Sequence, residues 1–370
     1  MATYGLGNGR GTVRAANFRD NDRAPVGRWL TCPALEEKIA MAHSMTTRAA
    51  RIHRQGGPEV LQIDQVELPD PGPGEVRVHQ TAIGLNFADV YQRRGGAGPY
   101  GVVTFPGILG SQGAGVVEAV GSGVTDVAVG DVVGYAHPGA YVVDRLLPAG
   151  RVVKLPAGMS ADIAAAWLLR GMTAEYLLRR LYRVQPGETI LVHAAAGGMG
   201  IVLSQWAKAL GARVIGTVGS PEKAELARSY GCDEVIDYRG EDFVERVAQL
   251  TGGAGVSIVY DGVGHDVFFR SMDCLRVRGW LVNYGATSGQ VGPFDLGLLN
   301  PRALIITKPS LRSYTATTEE LRACAADFFS VVADGAVKLE ISRRYRLEDV
   351  SQAHEDLESR RTVGASILVP

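Results

Sequence analysis

From Gly187 onward the apolar positions of the chain follow two alternating patterns. Short runs such as Thr189-Ile190-Leu191-Val192 and Arg213-Val214-Ile215-Gly216-Thr217-Val218 have strand character, and the stretches between them place apolar residues at helical spacing, as in Ile201, Leu203, Trp206, Ala209 and Leu210. On this pattern strands are predicted at 189–193, 212–218, 233–237, 256–261, 280–284 and 303–307, and helices at 199–210, 221–230, 241–250 and 266–276. Regular alternation of this kind predicts an α/β fold with a doubly wound parallel sheet.

Upstream the pattern changes. Residues 48–160 are dense in short β-type runs broken by Gly and Pro, among them Glu75-Val76-Arg77-Val78-His79-Gln80, Ala114-Gly115-Val116-Val117-Glu118-Ala119-Val120 and Asp131-Val132-Val133-Gly134-Tyr135. That spacing suits a compact, barrel-like β domain. A helical stretch from Ser160 to Leu181 joins the two regions. Helical patterns at 318–334 and 349–359, followed by the strand Ala365-Ser366-Ile367-Leu368-Val369, leave the alternating rhythm and are expected to complete the first domain. The division expected is a β-rich domain of residues 45–168 and 312–370 and a doubly wound domain of residues 169–311. Residues 1–44 are rich in Gly, Arg, Asn and Asp, with no sustained period and no apolar stretch after the arginines. They are expected to be a disordered extension or an over-long start, with Met41 or Met45 as initiator; a regulatory tail is a further reading, and a secretory signal is excluded.

The first strand of the alternating region runs into His193-Ala194-Ala195-Ala196-Gly197-Gly198-Met199-Gly200 before the helical pattern starts. A strand, a small-residue turn and a helix in that order suit a dinucleotide pyrophosphate: missing side chains allow close approach, and the helix start offers N–H groups and partial positive charge. In the Gly-x-Gly-x-x-Gly register the positions are Ala195, Gly197 and Gly200. A plain structural turn is the alternative reading. The second strand ends in Gly219-Ser220-Pro221 with no acid to hold ribose hydroxyls, and Lys223 follows in the first helical turn. NADP is therefore preferred to NAD, although Lys223 also reads as an ordinary solvated helix residue.

Composition narrows the partners. The 370 residues are 46% apolar and 21% charged, with a formal net charge of −1 and arginines spread along the chain. Nothing there favours nucleic acid or an anionic membrane, and no apolar run approaches the ~20 residues of a membrane span. Cys32, Cys232, Cys274 and Cys324 lie far apart, with neither disulfide nor zinc-knuckle spacing, so a cytoplasmic location is expected. His53, His79 and His137 show no ligand spacing, and no metal site is expected.

Several motifs in order give the chain a family resemblance. Gly56-Gly57-Pro58-Glu59-Val60-Leu61, Ala82-Ile83-Gly84-Leu85-Asn86-Phe87-Ala88-Asp89-Val90-Tyr91, the turn at 193–200, Val259-Tyr260-Asp261-Gly262-Val263-Gly264 and Leu357-Glu358-Ser359-Arg360 resemble those of the zinc-independent, zeta-crystallin-like NADPH:quinone oxidoreductases of the medium-chain dehydrogenase/reductase superfamily. The resemblance covers everything after the first 44 residues. It implies a GroES-like barrel carrying the catalytic residues, a Rossmann domain binding NADPH, a homodimer formed near residues 303–311, and reduction of a quinone.

The resemblance also implies roles residue by residue. Asn86 and Tyr91 line the nicotinamide and substrate cleft, with Phe87 and Asp89 in the same loop, and Thr173 lies at the nicotinamide end. Gly197, Gly198 and Met199 form the pyrophosphate turn. Gly219, Ser220, Lys223, Tyr238 and Arg360 surround the 2′-phosphate. Gly262, Gly285, Ala286, Lys308, Ser310 and Leu311 belong to loops around the nicotinamide half. Two departures stand out: Gln112 replaces a glutamate common in the family, and Gly262 stands where close relatives carry serine. The zinc-ligand histidine of related alcohol dehydrogenases is replaced by Ser111, and no cysteine lies between residues 33 and 231. Without a Lewis acid a quinone or conjugated enone is the acceptor expected, because its negative charge delocalises as hydride arrives. Asn86, Tyr91 and Tyr100 are expected to orient its carbonyl. An enone or 2-alkenal reductase is the second reading, and a low-turnover NADPH-binding protein with a structural or RNA-binding role the third.

Overall fold

The computed structural model describes residues 44–95, 103–359 and 363–370. Among them the chain first forms β1 (Met45–Ile52), β2 (Leu61–Leu68), β3 (Glu75–Gly84), α1 (Phe87–Arg94), β4 (Gly107–Ile108), β5 (Gln112–Val120), β6 (Val132–Ala136), β7 (Asp144–Pro148) and β8 (Val152–Lys154). The long helix α2 (Ala161–Glu175) follows and passes into one π-helical turn, Tyr176–Leu181. Then come β9 (Thr189–Val192), α3 (Gly198–Ala209), β10 (Arg213–Val218), α4 (Pro221–Ser229), β11 (Glu234–Asp237), α5 (Phe243–Leu250), β12 (Val256–Asp261), α6 (Phe268–Asp273), β13 (Leu275–Asn283) and β14 (Ile305–Thr307). The tail forms α7 (Leu311–Tyr314), α8 (Thr318–Ala333), β15 (Ile341–Arg346), α9 (Val350–Glu358) and β16 (Ala365–Val369).

Strands β9 to β14 build a six-stranded parallel sheet in the order β11-β10-β9-β12-β13-β14. Its central strands β9, β10 and β12 are buried almost throughout, as a parallel sheet covered on both faces requires. One face packs against α2, α3 and α4, the other against α5 and α6. The order reverses beside β9, which places the ligand crevice of such sheets outside the carboxyl ends of these strands.

The β-rich part contains a three-stranded sheet, β2-β1-β4, and a seven-stranded sheet, β15-β16-β3-β5-β6-β8 with β7 paired to β3. The last strand, β16, pairs antiparallel with β3. Helix α2 packs on β3, β5 and β6 and also on α3, so one rigid element touches both sheet systems.

Several boundaries differ from the sequence pattern. Strand β13 starts at Leu275 rather than 280, and helix α6 ends at Asp273 rather than 276. Arg276, Val277 and Arg278 are exposed at the start of the strand, and Arg278 has a left-handed φ of 60°, so no apolar alternation marks this stretch. Strand β14 starts at Ile305 rather than 303 because Ala303, with φ 49°, closes the preceding 3-10 turn.

Candidate active site

The crevice is built first by the turn between β9 and α3. Ala194 takes a left-handed φ of 53°, unusual for a residue with a β-carbon, and accepts a hydrogen bond from Gly197 N–H at 2.8 Å. Gly197 then opens α3 in extended conformation with no side-chain cap. The start of the helix is thus left to whatever lies in front of it. The glycines have separate duties. A β-carbon at Gly200 would fall 2.4 Å from Ala194 O and 2.5 Å from Ala195 Cα, so the third glycine seats the helix on the turn. At Gly197 a β-carbon would meet Ala194 O at 3.1 Å, a tight contact with backbone, and the residue is bridged to Gly364.

Beside it, at the end of β10, the structure brings Gly219, Ser220, Lys223 and Tyr238 together. Ser220 caps α4 by accepting from Lys223 N–H. The Tyr238 ring lies over Gly219, where a β-carbon would come 2.5 Å from the phenol oxygen. Lys223 makes no ion pair among the described residues. Its neighbour Glu222 is held below the usual carboxylate range by Ser220. The result is a pocket edge with a hydroxyl, a phenol and an unpaired ammonium, which suits a phosphate better than a ribose diol.

The carboxyl ends of β12 and β13 form the other wall. Buried Asp261 accepts from Val263 N–H at 2.8 Å, Gly264 N–H at 2.9 Å and Asn283 Nδ2 at 2.9 Å, which ties the two loops together. Gly262 and Gly285 meet backbone to backbone: a β-carbon on Gly285 would lie 2.7 Å from Gly262 O. A side chain at Gly262, serine included, would meet the Tyr284 ring at 2.8 Å. The space of the missing hydroxyl is therefore filled by Tyr284. Ala286 is buried behind this wall, while Lys308 is exposed and donates to Gln290 Oε1 at 3.0 Å. Ser310 opens the short helix α7, which starts at Leu311.

Across the crevice the β-rich part supplies Asn86 at the start of α1. Gln112, fully buried, decides which way Asn86 faces. Its Oε1 accepts from Leu169 N–H at 2.8 Å, which forces its Nε2 toward Ala166 O and Asn86 Oδ1, each at 3.3 Å. The Asn86 amide thereby turns its Nδ2 donor away from Gln112, and that buried donor has no partner among the described residues. A glutamate at 112 would offer no donor to Asn86 Oδ1, so this glutamine sets the amide's orientation. Thr173 lies on α2 nearby, its hydroxyl donating back to Leu169 O at 2.7 Å. Tyr91 lies one helical turn on from Phe87, their rings 6.1 Å apart, and it is half-buried.

Beneath Asn86 runs a buried polar chain that sequence reading missed. Asp89 is fully buried and accepts from Ser111 Oγ, from Tyr141 OH at 2.9 Å and from Asn86 N–H at 2.9 Å. Burial pushes its carboxyl up to about 6, against the opposing pull of those hydrogen bonds. The Tyr141 oxygen also lies 3.0 Å from Nε2 of buried His354. The signal available was the Asn86-x-x-Asp89 spacing, a capping box that nucleates α1 without apolar periodicity. The Ser111–Asp89 pair occupies the slot where the sequence lost its ligand histidine. Around it the donor set does not fit zinc: the described thiols are buried elsewhere, with Cys232 on Ser204 and Cys324 on Glu175 and Met172 O, and burial pushes Cys232 up to about 11. The structure does bring His79, Glu118 and Asp144 together on neighbouring strands, within 4.8 Å, although their spacing gave no hint of it. All three are already partnered, His79 with Asp144 at 2.6 Å, Asp144 with Thr47 at 2.8 Å and Glu118 with Arg77 at 3.8 Å. Tyr100, Arg360 and residues 1–43 of the expected extension lie outside the described residues.

The structure shows an uncapped glycine-opened helix, a phosphate-suited edge and an orphaned amide donor, with Arg170 joining the Leu85–Asn86 segment to the glycine turn. Together they define a dinucleotide-dependent dehydrogenase or reductase. Comparison with known proteins carries this further. Residues 72–182 match the family described as alcohol dehydrogenase GroES-like domain, and residues 198–330 the one described as zinc-binding dehydrogenase. Quinone oxidoreductase 1 of Escherichia coli is 46% identical over 331 residues, covering 88% of this chain and 100% of that protein. A quinone oxidoreductase of Pseudomonas aeruginosa is 48% identical over 318 residues, covering 85% and 97%. The solved structure of Escherichia coli quinone oxidoreductase complexed with NADPH superposes with a TM-score of 0.84 at 45% identity, covering 87% of this chain and 100% of that one. The chain belongs to the quinone oxidoreductase family of the medium-chain dehydrogenase/reductase superfamily.

Proposed function

We infer that the protein is an NADPH-dependent quinone reductase. The observation that carries this reading is the orphaned Asn86 Nδ2, turned away from Gln112 on the segment that Arg170 ties to the glycine turn. When bound, NADPH supplies the hydride, and a proton from solvent or a tyrosine completes the hydroquinone. The chain itself binds and orients. The start of α3 receives the diphosphate, and Ser220, Lys223 and Tyr238 receive the 2′-phosphate. Gly262, Gly285, Ala286, Lys308, Ser310 and Leu311 enclose the nicotinamide half, with Thr173 at its end. Asn86 Nδ2 and the Tyr91 phenol hold the carbonyl of the acceptor, so catalysis rests on alignment and exclusion of water. No zinc enters the scheme, because the residues around Asn86 and Ser111 do not form a zinc donor set.

The reading is tested by titrating NADPH and NADH into the purified protein and then adding benzoquinones, naphthoquinones and 2-alkenals. NADPH is expected to bind more tightly and to be oxidised fastest by a quinone. Faster turnover of alkenals would instead make it an enone reductase, and failure to bind either coenzyme would end the proposal. Lys223→Glu is expected to lower NADPH affinity by roughly 10- to 100-fold, the scale of one charge-assisted contact, while sparing NADH. An unchanged NADPH/NADH ratio would move the 2′-phosphate elsewhere. Asn86→Ala is expected to cost about tenfold in kcat/KM for quinones, the scale of one buried hydrogen bond. Wild-type kcat/KM in both Asn86→Ala and Tyr91→Phe would remove them from the site.

We further propose β-rich catalytic residues at 45–168 and 312–370, a dinucleotide-binding unit at 169–311, and a homodimer through the β14 edge. Ile305 is exposed on that edge strand, and Leu296 and Leu298 are exposed in the turn before it, 72% and 52% accessible. A monomer by light scattering would refute the dimer. Among the described residues no helix is long and apolar enough to cross a membrane. Free buried thiols accord with a cytoplasmic setting, and the even charge distribution gives no surface for RNA.

A further inference from the structure

Arg170, on the face of α2 turned toward the dinucleotide helix, is 8% exposed. One terminal nitrogen donates to Leu85 O at 2.8 Å, beside Asn86, and the other to Ala166 O. Its stem runs directly against the glycine turn: a β-carbon on Gly198 would lie 2.6 Å from Arg170 Nε and 3.1 Å from its Cδ. The two carbonyls take one N–H on each terminal nitrogen and the Trp167 ring lies 5.6 Å from the guanidinium carbon, but none of these carries a full negative charge. No carboxylate among the described residues pairs with it. The acid acting on it through space is Asp89, whose oxygens are already taken by Ser111, Tyr141 and Asn86 N–H. Burial accordingly pulls the guanidinium down to about 10.

A buried cation without a carboxylate in direct contact is costly in a folded protein. Here it lies where the dinucleotide reading places two negative charges, at the N-terminus of α3, in surroundings where through-space attraction is weakly screened. We propose that Arg170 is the internal counter-charge for the diphosphate of the bound dinucleotide, and that it couples diphosphate binding to the Leu85–Asn86 segment it also holds. The proposal rests on the dinucleotide reading above. It adds to the crevice a charge that serves NADPH and NADH alike, unlike Lys223, which serves the 2′-phosphate alone. It also gives Gly198 a reason of its own, because a side chain there would displace the arginine.

The test compares Arg170→Gln and Arg170→Lys with the parent protein by nicotinamide fluorescence and calorimetry, using NADPH, NADH, ADP-ribose and 2′-AMP. Arg170→Gln is expected to weaken NADPH, NADH and ADP-ribose by a common factor of about tenfold or more, the scale of one charge-assisted contact. Binding of 2′-AMP, which has no diphosphate, is expected to hold. Arg170→Lys is expected to recover most of the loss. Three outcomes overturn the proposal: Arg170→Gln binding both coenzymes within twofold of the parent, a loss confined to NADPH, or an equal loss of 2′-AMP, which marks a merely structural role. Should Arg170→Gln not fold, the parent protein decides. Its Arg170 Nε–H resonance, assigned by its absence in Arg170→Lys, is expected to move on saturation with ADP-ribose and not with 2′-AMP; no movement overturns the proposal. A parent protein that binds neither coenzyme refutes the dinucleotide reading itself, whereas a binding parent with an indifferent Arg170→Gln refutes only this inference.

Discussion

Replacing Gly200 by alanine is expected to lower NADPH affinity by at least about 100-fold and to lower Tm by several degrees, whereas Gly197→Ala is expected to lose affinity with a much smaller change in Tm. The contrast follows from what each new methyl group meets. At Gly200 it falls on backbone atoms, Ala194 O at 2.4 Å, Ala195 Cα at 2.5 Å and Ala195 O at 2.6 Å, none of which can rotate aside. Helix α3 must lift off the turn, at a cost of about 1–3 kcal/mol for overpacking, and its opening N–H groups lose their aim. At Gly197 the backbone is already extended, with φ −81° and ψ 167°, and the methyl group touches only Ala194 O at 3.1 Å. Ala194 O must give by a few tenths of an ångström, a far smaller displacement than the three backbone clashes at Gly200 demand, so the loss in Tm is expected to be the smaller of the two while the methyl group crowds the start of α3. Thermal melts without ligand and fluorescence titrations with NADPH separate the two effects. Parent-like NADPH affinity in Gly197→Ala would mean that the turn is only a structural junction.

That turn also shows how much of the fold and site could be read from the chain. The order of the parallel sheet followed from strand–helix alternation, since each buried strand carries its own local signal in a continuous apolar run. The alanine at 195, where the dinucleotide pattern has its first glycine, is not explained by the turn. It is explained by the neighbouring strand: a β-carbon on Gly216 of β10 would lie 2.7 Å from the Ala195 methyl, so the missing side chain on β10 makes room for the extra one in the turn. Gln112 is similar. In the sequence it is only a departure from the family pattern, and the Leu169 N–H and Ala166 carbonyl of α2 show that it fixes the Asn86 amide. Helix α1 escaped notice because Asp89, Gln92 and Arg93 are buried polar residues that break its apolar period. What could not be read were partners distant in sequence, such as Tyr141 with His354 and Arg170 with the glycine turn, whose meeting is set by the packing of separate elements.

The same long-range packing predicts acid lability. His193, at the end of β9, is fully buried between Thr217 Oγ1 at 2.9 Å and Ser271 Oγ at 2.8 Å, with the Phe243 ring edge-on 5.2 Å away. His354 is buried against Tyr141, with Arg93 nearby. Burial pulls both imidazoles down to about 3, far below their ordinary 6.5. A depressed folded value means that the unfolded chain takes up the proton first, so this stability is present above about pH 6.5 and is lost as pH falls toward 3. Asp89 acts in the opposite sense. Its folded value, about 6 against an ordinary 3.8, makes the native state bind the proton first, which offsets one histidine between about pH 6 and 4. The net imbalance there is one proton, worth roughly 1.4 kcal/mol per pH unit. Tm of the parent is therefore expected to fall steadily from pH 7 to 5. In His193→Gln that fall is expected to be largely abolished between pH 6 and 5, whatever the variant loses at pH 8 with its hydrogen bonds. Asp89→Asn is expected to steepen the fall over the same interval, because both histidines then act unopposed. A parent Tm that stays flat from pH 7 to 5, or a His193→Gln profile parallel to it, would show that the two imidazoles do not govern acid stability.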